Sequence, residues 1–219
     1  MEGARLKYFL LLMALHGSLL VTSTVAGAKV FALPFGFTAS ATVLSYMCTF
    51  IVLDTIAELY GRQFSRLVIN LGLVGMAVSA LYFELAIWLP PADGWSHQAA
   101  FEMVLNSAWR IWLGGWAAYI LSQNLDLWSF LKLKDMVWIG RGSLAFRAWL
   151  SMLIGQLLDT LVFMTIAFYG VFPLGSAIVG QYLVKVIFAT IAAPLVSIGV
   201  WIGRDWIEKR LSPQRTSLD

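Results

Sequence analysis

Residues 148–169 read AWLSMLIGQLLDTLVFMTIAFY, a run in which nearly every side chain is apolar and one carboxylate, Asp159, lies near the middle. A run of this length can cross the hydrocarbon core of a bilayer as an α-helix. An acid at that depth costs roughly 2.5–3.5 kcal/mol on insertion scales, and a purely structural membrane helix does not require one. The stretch therefore predicts a spanning helix whose acid finds partners elsewhere in the chain.

The composition of the whole chain is that of an integral membrane protein. Of its 219 residues, 60% are hydrophobic and only 12% are charged, against about 25% in a soluble domain. A backbone in lipid must satisfy its own hydrogen bonds, which leaves helices or a closed barrel. Because the apolar runs are about 20 residues long and do not alternate with polar residues, we predict an all-α, polytopic protein with a single domain over residues 1–219.

Six apolar runs are separated by short polar loops. The first run imitates a cleaved signal peptide, but it is longer than a signal h-region, so an uncleaved helix is the better interpretation. The predicted transmembrane spans are residues 6–26, 37–57, 67–89, 104–121, 148–169 and 177–202.

The basic residues predict the orientation of these spans. Twelve of the 15 Lys and Arg residues fall on one side of the six spans, Lys29 lies alone on the other, and Arg110 and Lys185 lie within spans. Both termini of this multi-pass protein are therefore expected to be cytoplasmic. The loop charges form no basic face, which argues against nucleic acid as a partner despite the net charge of +3.

Several polar side chains inside the predicted spans are candidates for a binding site. Two cations and two acids lie at overlapping depths, counted at about 1.5 Å per residue, and two amides lie nearby: Arg110, Lys185, Asp159, Glu84, Gln156 and Gln181. We predict that they pair around an internal cavity that binds a hydrophilic solute. Buried ion pairs that only fix the helix register are the alternative, although small-residue packing would fix it at lower cost.

Tryptophans accompany Arg110 on the fourth predicted span. Trp109, Trp112 and Trp116 lie near it in sequence and would offer flat surfaces on which a planar solute can stack. The alternative is the aromatic belt that marks membrane interfaces.

A second group of charges closes the second predicted span. Asp54, Glu58 and Arg62 follow one another at intervals of four residues, so their side chains share one helix face. Gly61 is suited to ending the helix. We predict either a solvated charge ladder at the interface or a gating and coupling group in which Asp54 or Glu58 takes up a proton.

The sequence carries no catalytic signature. It lacks a phosphate-binding glycine loop, a His-Glu-x-x-His pair and a Gly-x-Ser-x-Gly elbow, and Cys48 is its one cysteine. We therefore expect neither an enzyme nor a bound metal or cofactor. A nucleotide-hydrolysing domain is also missing, so ATP-driven activity would need partner subunits.

Four segments, in order, resemble the bacterial queuosine-precursor transporters. DTIAELYG at 54–61 resembles the acidic motif that closes their second helix, 106–130 their fourth helix and its exit, 147–170 their fifth helix, and YLVKV at 182–186 the lysine motif of their sixth.

The resemblance implies an inner-membrane importer of 7-deazaguanines, chiefly 7-cyano-7-deazaguanine and its aminomethyl relative, for salvage into tRNA queuosine. It also implies kinship with six-helix vitamin-uptake transporters, akin to the substrate-binding subunits of energy-coupling-factor systems, in a branch regarded as working without the ATPase module. For such a base, Asp159 or Glu84 would accept two parallel N–H groups, Gln156 or Gln181 would bind the carbonyl side, and Arg110 would donate to the carbonyl oxygen or cap the stack.

Two other classes of function and the oligomeric state remain open. A substrate-capturing subunit of an ATP-driven complex would use the surface around Asp54, Glu58 and Arg62 for docking. An intramembrane enzyme lacks a catalytic constellation. Gly114 and Gly115 suit close helix packing, either within one chain or in a homo-oligomer.

Overall fold

The computed structural model describes residues 3–32, 38–105, 109–136, 143–170 and 174–211. Within them the chain is almost entirely helical, which confirms the all-α prediction apart from one short antiparallel hairpin. The helices are α1 Gly3–Ala26, α2 Thr42–Tyr60, α3 Arg62–Trp88, α4 Gln98–Leu105, α5 Trp109–Asp135, α6 Leu144–Phe168 and α7 Leu174–Leu211. In the hairpin, β1 Val30–Ala32 pairs with β2 Thr38–Ser40, with Val30 opposite Ser40.

Five helices in the described part of the chain are long and apolar enough to cross a membrane, namely α1, α2, α3, α6 and the 178–207 portion of α7. The sixth long helix, α5, has 27 residues and measures about 40 Å, but it carries too many polar residues to meet the same measure. It packs most extensively against α6 and also against α3 and α2. The polar residues of α5 are therefore accommodated by neighbouring helices.

The helix α2 is the centre of the bundle. Its apolar segment is 61% buried inside the protein, whereas the corresponding value for α3 is 17%. Accordingly α3 presents Val74, Val78 and Leu81 on the exterior, as expected for a helix that faces lipid. Residues on α2 are thus placed where several helices can supply partners.

Glycines allow the helices that meet around this centre to approach one another. A Cβ atom at Gly155 of α6 would lie 2.9 Å from the Cβ atom of Asp126, and one at Gly114 of α5 would lie 3.3 Å from the carbonyl oxygen of Phe163. Gly114 therefore packs within one chain, whereas a Cβ at Gly115 would meet no described atom within 4 Å. Gly61, with a φ of +82°, separates α2 from α3 as its sequence position predicted.

The helices differ in extent from the second, third, fourth and sixth predicted spans. The second and third, 37–57 and 67–89, correspond to helices that start or end three to five residues away, on either side of Gly61. The fourth, 104–121, begins instead at Trp109 and continues to Asp135. The sixth, 177–202, belongs to a helix that reaches Leu211. The difference at the fourth span has a physical cause. Polar residues after Leu121, such as Gln123 and Asp126, predict the end of a span, but in the structure they are buried inside the protein.

Candidate functional site

Asp159 is surrounded by polar groups from three other helices. The Nζ atom of Lys185 on α7 makes an ion pair with its Oδ2 atom. Its Oδ1 atom accepts hydrogen bonds from the Tyr46 hydroxyl of α2 at 2.8 Å and from the Ser122 hydroxyl of α5 at 3.3 Å. We call these four residues the Asp159 site. The structure confirms that the acid has partners, and that Lys185 is one of them.

The Asp159 site is nearly closed to its surroundings. Asp159 is 6% exposed and Lys185 3% exposed, and the ammonium lies 5.9 Å from the centre of the Tyr46 ring. An ion pair at this degree of burial persists only when hydrogen bonds satisfy its remaining lone pairs. The two hydroxyls perform this role, and a solute with suitable donors would be able to replace them.

A layer of amides and hydroxyls lies next to the Asp159 site. Gln156, one turn earlier on α6, is fully buried, and neither of its amide atoms has a hydrogen-bond partner among the described residues. Gln123 of α5 donates to the Thr49 hydroxyl at 3.0 Å, but its carbonyl oxygen is likewise unsatisfied. Because a buried amide without partners costs about 1–3 kcal/mol, these two side chains are suited to binding a polar ligand or water.

Further along the same axis, Asp54 of α2 and Asp126 of α5 face each other, and we call them the acid pair. Both are fully buried. Each carboxyl interacts with the other, and Asp126 also interacts with Ser151 of α6. None of the four carboxyl oxygens makes a hydrogen bond of ordinary length and angle within the described residues. Because Gly155 has no side chain, Asp126 has room to pack against α6.

A third group of charges surrounds Glu58 at the end of α2, and we call it the basic end. The Glu58 carboxylate pairs with Arg147 of α6 at 3.1 Å, Lys134 of α5 at 3.3 Å and Arg204 of α7 at 3.8 Å. The Arg147 side chain is buried and lies 5.1 Å from the centre of the Phe130 ring, whereas Lys134 and Arg204 reach solvent.

Together these groups form a polar column through the bundle. On α2 it extends from Tyr46 to Glu58, on α5 from Ser122 to Lys134, and on α6 from Asp159 back to Arg147. Twelve residues of helix correspond to about 18 Å. The column is therefore long enough to cover more than half of a hydrocarbon core that is about 30 Å thick.

Of the two alternatives for the charges that close the second predicted span, the solvated ladder does not describe Asp54, which is fully buried. Asp54 lies inside the column, about a turn deeper than Glu58, because α2 continues to Tyr60 and is enclosed by other helices. Glu58 pairs with cations at the end of the column. Arg62 is exposed at the start of α3. The gating or coupling role of these three residues stays a prediction.

Several predicted binding residues lie away from Asp159. Arg110 donates through Nε to the Ile166 carbonyl at 3.2 Å and through Nη2 to the Tyr169 carbonyl at 3.0 Å, so it caps the end of α6. Glu84 is exposed on α3, and Gln181 is half-buried on α7, one turn before the lysine of the Asp159 site. The predicted pairing of two cations with two acids is therefore realised by one pair only.

Trp112 and Trp116 of α5 line a small pocket of about 30 Å³ between α1, α3, α4 and α5. Trp112 and Trp116 stack there, with ring centres 6.5 Å apart and an interplanar angle of 18°. Trp116 precedes Ser122 by six residues, or about 9 Å along the helix. The pocket thus lies toward the opposite end of the bundle from the basic end. The side chain of Trp109 lies outside the described residues.

Sequence reasoning missed several members of the column: Tyr46, Ser122, Gln123, Asp126, Ser151 and the inward position of Arg147. A signal for some of them was present, since Ser122, Asp126 and Ser129 recur at the spacing of one helix face. Among the described residues no group of three His, Cys, Asp or Glu side chains is placed to hold a metal ion.

The fold and the column define a class: a multi-pass helical membrane protein with a charged, largely enclosed interior. The comparisons with known proteins agree with this class. Residues 40–199 match the family model described as "Putative vitamin uptake transporter", and the chain belongs to that family. Over 169 residues it is 26% identical to the "Probable queuosine precursor transporter" of Bacillus subtilis (strain 168), covering 73% of this chain and 71% of that protein. No solved structure matches the chain.

Proposed function

We propose that this protein imports queuosine precursors, chiefly 7-cyano-7-deazaguanine and its aminomethyl relative, across the bacterial inner membrane. The observation that carries the proposal is the Asp159 site, a carboxylate buried among four helices and held by exchangeable donors. The named substrate of the Bacillus subtilis relative supports the choice of solute. In the cell the imported base would enter tRNA queuosine.

The chemistry of the Asp159 site suits the edge of a deazaguanine. This edge carries adjacent N–H donors, and one carboxylate can accept two of them in parallel. The base would displace the two hydroxyls from the carboxylate, Lys185 would stay as the counter-charge, and the unsatisfied Gln156 amide would bind the carbonyl side of the ring. Trp116 would offer a stacking face before the base enters the column, and the small pocket beside it would have to widen to admit the base.

Orientation follows from the charges. We infer that the basic end faces the cytoplasm, because its cations belong with the excess of Lys and Arg on that side. Both termini would then be cytoplasmic. The base would approach from the α5 pocket and leave past Glu58.

The test is the queuosine content of tRNA in cells that cannot make the precursor and are fed 7-cyano-7-deazaguanine. Queuosine should appear with the gene and not with an empty vector. Asp159→Asn should abolish it when uptake is compared per amount of protein in the membrane. Asp93→Asn, which alters an exposed carboxylate in the loop after α3, is the matched control and should behave as wild type.

The outcomes separate this function from an ATP-driven one. Normal queuosine formation by Asp159→Asn would contradict the assignment of the site. Uptake that disappears in cells lacking an energy-coupling ATPase, together with copurification of that ATPase, would instead assign the chain as a substrate-capturing subunit.

A further inference from the structure

The acid pair is the least compensated charge in the polar column. Asp54 and Asp126 are fully buried, and each faces the other without a cation between them. By contrast, Asp159 has the ammonium of Lys185 at its own layer. Two ionised carboxylates in this position would repel each other and lack the water that normally stabilises them.

The charged groups that face the acid pair do not neutralise it. From α2 it faces Glu58, a third acid, and from α6 it faces Arg147. Arg147 uses Nη2 to bind Glu58. The exposed cations of α5 and α7, Lys134 and Arg204, also pair with Glu58. Three acids thus share one buried guanidinium.

Arg147 supplies the second observation. Its side chain is 7% exposed, and its Nε and Nη1 atoms have no hydrogen-bond partner among the described residues. The guanidinium acts electrostatically on Asp54. Arg147 is therefore a buried donor with two unused N–H positions that acts on Asp54 electrostatically and is not hydrogen-bonded to it.

We propose that the acid pair is a proton-binding site, and that one proton carried by it accompanies each base into the cell. The inference rests on the proposed function. In the enclosed state one carboxyl holds the proton and donates a hydrogen bond to the other carboxylate, so that the pair carries a single negative charge. When the basic end opens to water the proton leaves to solvent, and the unsatisfied donors of Arg147 pair with the newly ionised carboxylate. The same number of protons and bases crosses the membrane, and no bond of the base changes.

Transport by the purified full chain in liposomes tests the coupling. Labelled base is added outside the liposomes only, and valinomycin with potassium holds the membrane potential at zero. With acid on the side from which base enters, wild type should accumulate labelled 7-cyano-7-deazaguanine. One proton per base limits the accumulation to about tenfold for a gradient of one pH unit.

Replacement of the acids separates coupling from binding. Asp54→Asn and Asp126→Asn should each lose the accumulation that the pH gradient drives, yet keep exchange of labelled for unlabelled base. Asp135→Asn, an exposed carboxylate at the end of the same α5 helix, should behave as wild type. Accumulation by either variant equal to that of wild type would overturn the proposal, and so would accumulation driven by a sodium gradient instead.

Infrared difference spectroscopy of the full chain in lipid tests the proton itself, without transport. A carbonyl band of a buried protonated carboxylic acid should be present at neutral pH in wild type and absent in Asp126→Asn or Asp54→Asn. Absence of the band in wild type would overturn the proposal. If wild type neither exchanges nor accumulates base, the proposed function fails, while the spectrum still decides whether the pair binds a proton.

Discussion

Lys185→Met tests the energetics of the Asp159 site most directly. The substitution keeps the length of the side chain and removes the ammonium, which is 3% exposed. Breaking a buried ion pair from one side costs about 3–5 kcal/mol. The carboxylate would retain the Tyr46 and Ser122 hydroxyls, at 2.8 and 3.3 Å, so we expect a loss near the lower limit, about 3 kcal/mol.

The reciprocal change should cost more. Asp159→Asn leaves the Lys185 ammonium without its acceptor, and the nearest compensation is the face of the Tyr46 ring 5.9 Å away. We expect a loss of about 4–5 kcal/mol, near the upper limit for a broken buried pair. In the double variant no charge remains, and the amide oxygen still accepts from both hydroxyls. Its loss should be smaller than either single loss.

The assay is unfolding of the full chain in lipid nanodiscs, followed by tryptophan fluorescence. At about 2–4 °C per kcal/mol for a chain of this size, Lys185→Met should lower Tm by roughly 6–12 °C. With a double-variant loss below about 3 kcal/mol, the cycle should give a coupling energy of at least about 4 kcal/mol. Additive losses, within about 0.5 kcal/mol, would refute the reasoning, because they would mean that the two side chains do not depend on each other.

The same four proteins distinguish a register-fixing pair from a binding site. If the pair only fixes the register of α6 and α7, the double variant regains both stability and uptake. If Asp159 binds the base, the double variant regains stability but not uptake. The second result is the one we expect.

Two further expectations concern packing around the column. Gly155→Ala should lower stability by about 1–3 kcal/mol and slow uptake, because the new Cβ would lie 2.9 Å from a Cβ atom on α5. Gly115→Ala is the control and should change neither, since its Cβ would meet no described atom within 4 Å. Equal losses of the two variants in urea or thermal unfolding would contradict this account. Arg110→Gln should lower Tm through loss of its two bonds to α6 carbonyls while the apparent KM for base uptake stays unchanged; a raised KM at unchanged Tm would restore its predicted role in base binding.

The apolar runs predicted the helices well because hydrophobicity averaged over a whole turn reports lipid contact. The same averaging failed on α5. Gln123 and Asp126 lower the mean hydropathy as much as solvent-exposed residues would, although both are fully buried inside the protein. Only the angular position of each side chain separates a helix that ends from a helix that turns its polar face inward.

Depth counting brought Asp159 and Lys185 together, as the structure shows, whereas the burial of Asp54 inside the bundle was not predicted, for a related reason. The first two lie far from any helix end, so an error of a few residues in the limits does not change their depth. Asp54 lies seven residues before Gly61, and its predicted depth depended on where α2 was taken to leave the membrane. Asp54 has two partners, Asp126 and Arg147, on helices more than 70 residues away in sequence. No local pattern specifies such a contact.

The order of charges along the column restricts which layer can change its protonation state during transport. At one end Asp159 is neutralised by Lys185 within the same layer, and at the other Glu58 has three cations around it. Adding a proton at the Asp159 layer would leave an uncompensated ammonium in an enclosed space, and adding one at Glu58 would increase the positive charge of a layer that already has more cations than acids. At the acid pair between them, adding one proton removes a repulsion instead. For the proposed import of 7-cyano-7-deazaguanine, a neutral base, with a proton, the bundle therefore has one layer suited to binding that proton, and Arg147 is the residue whose donors would stabilise the deprotonated state.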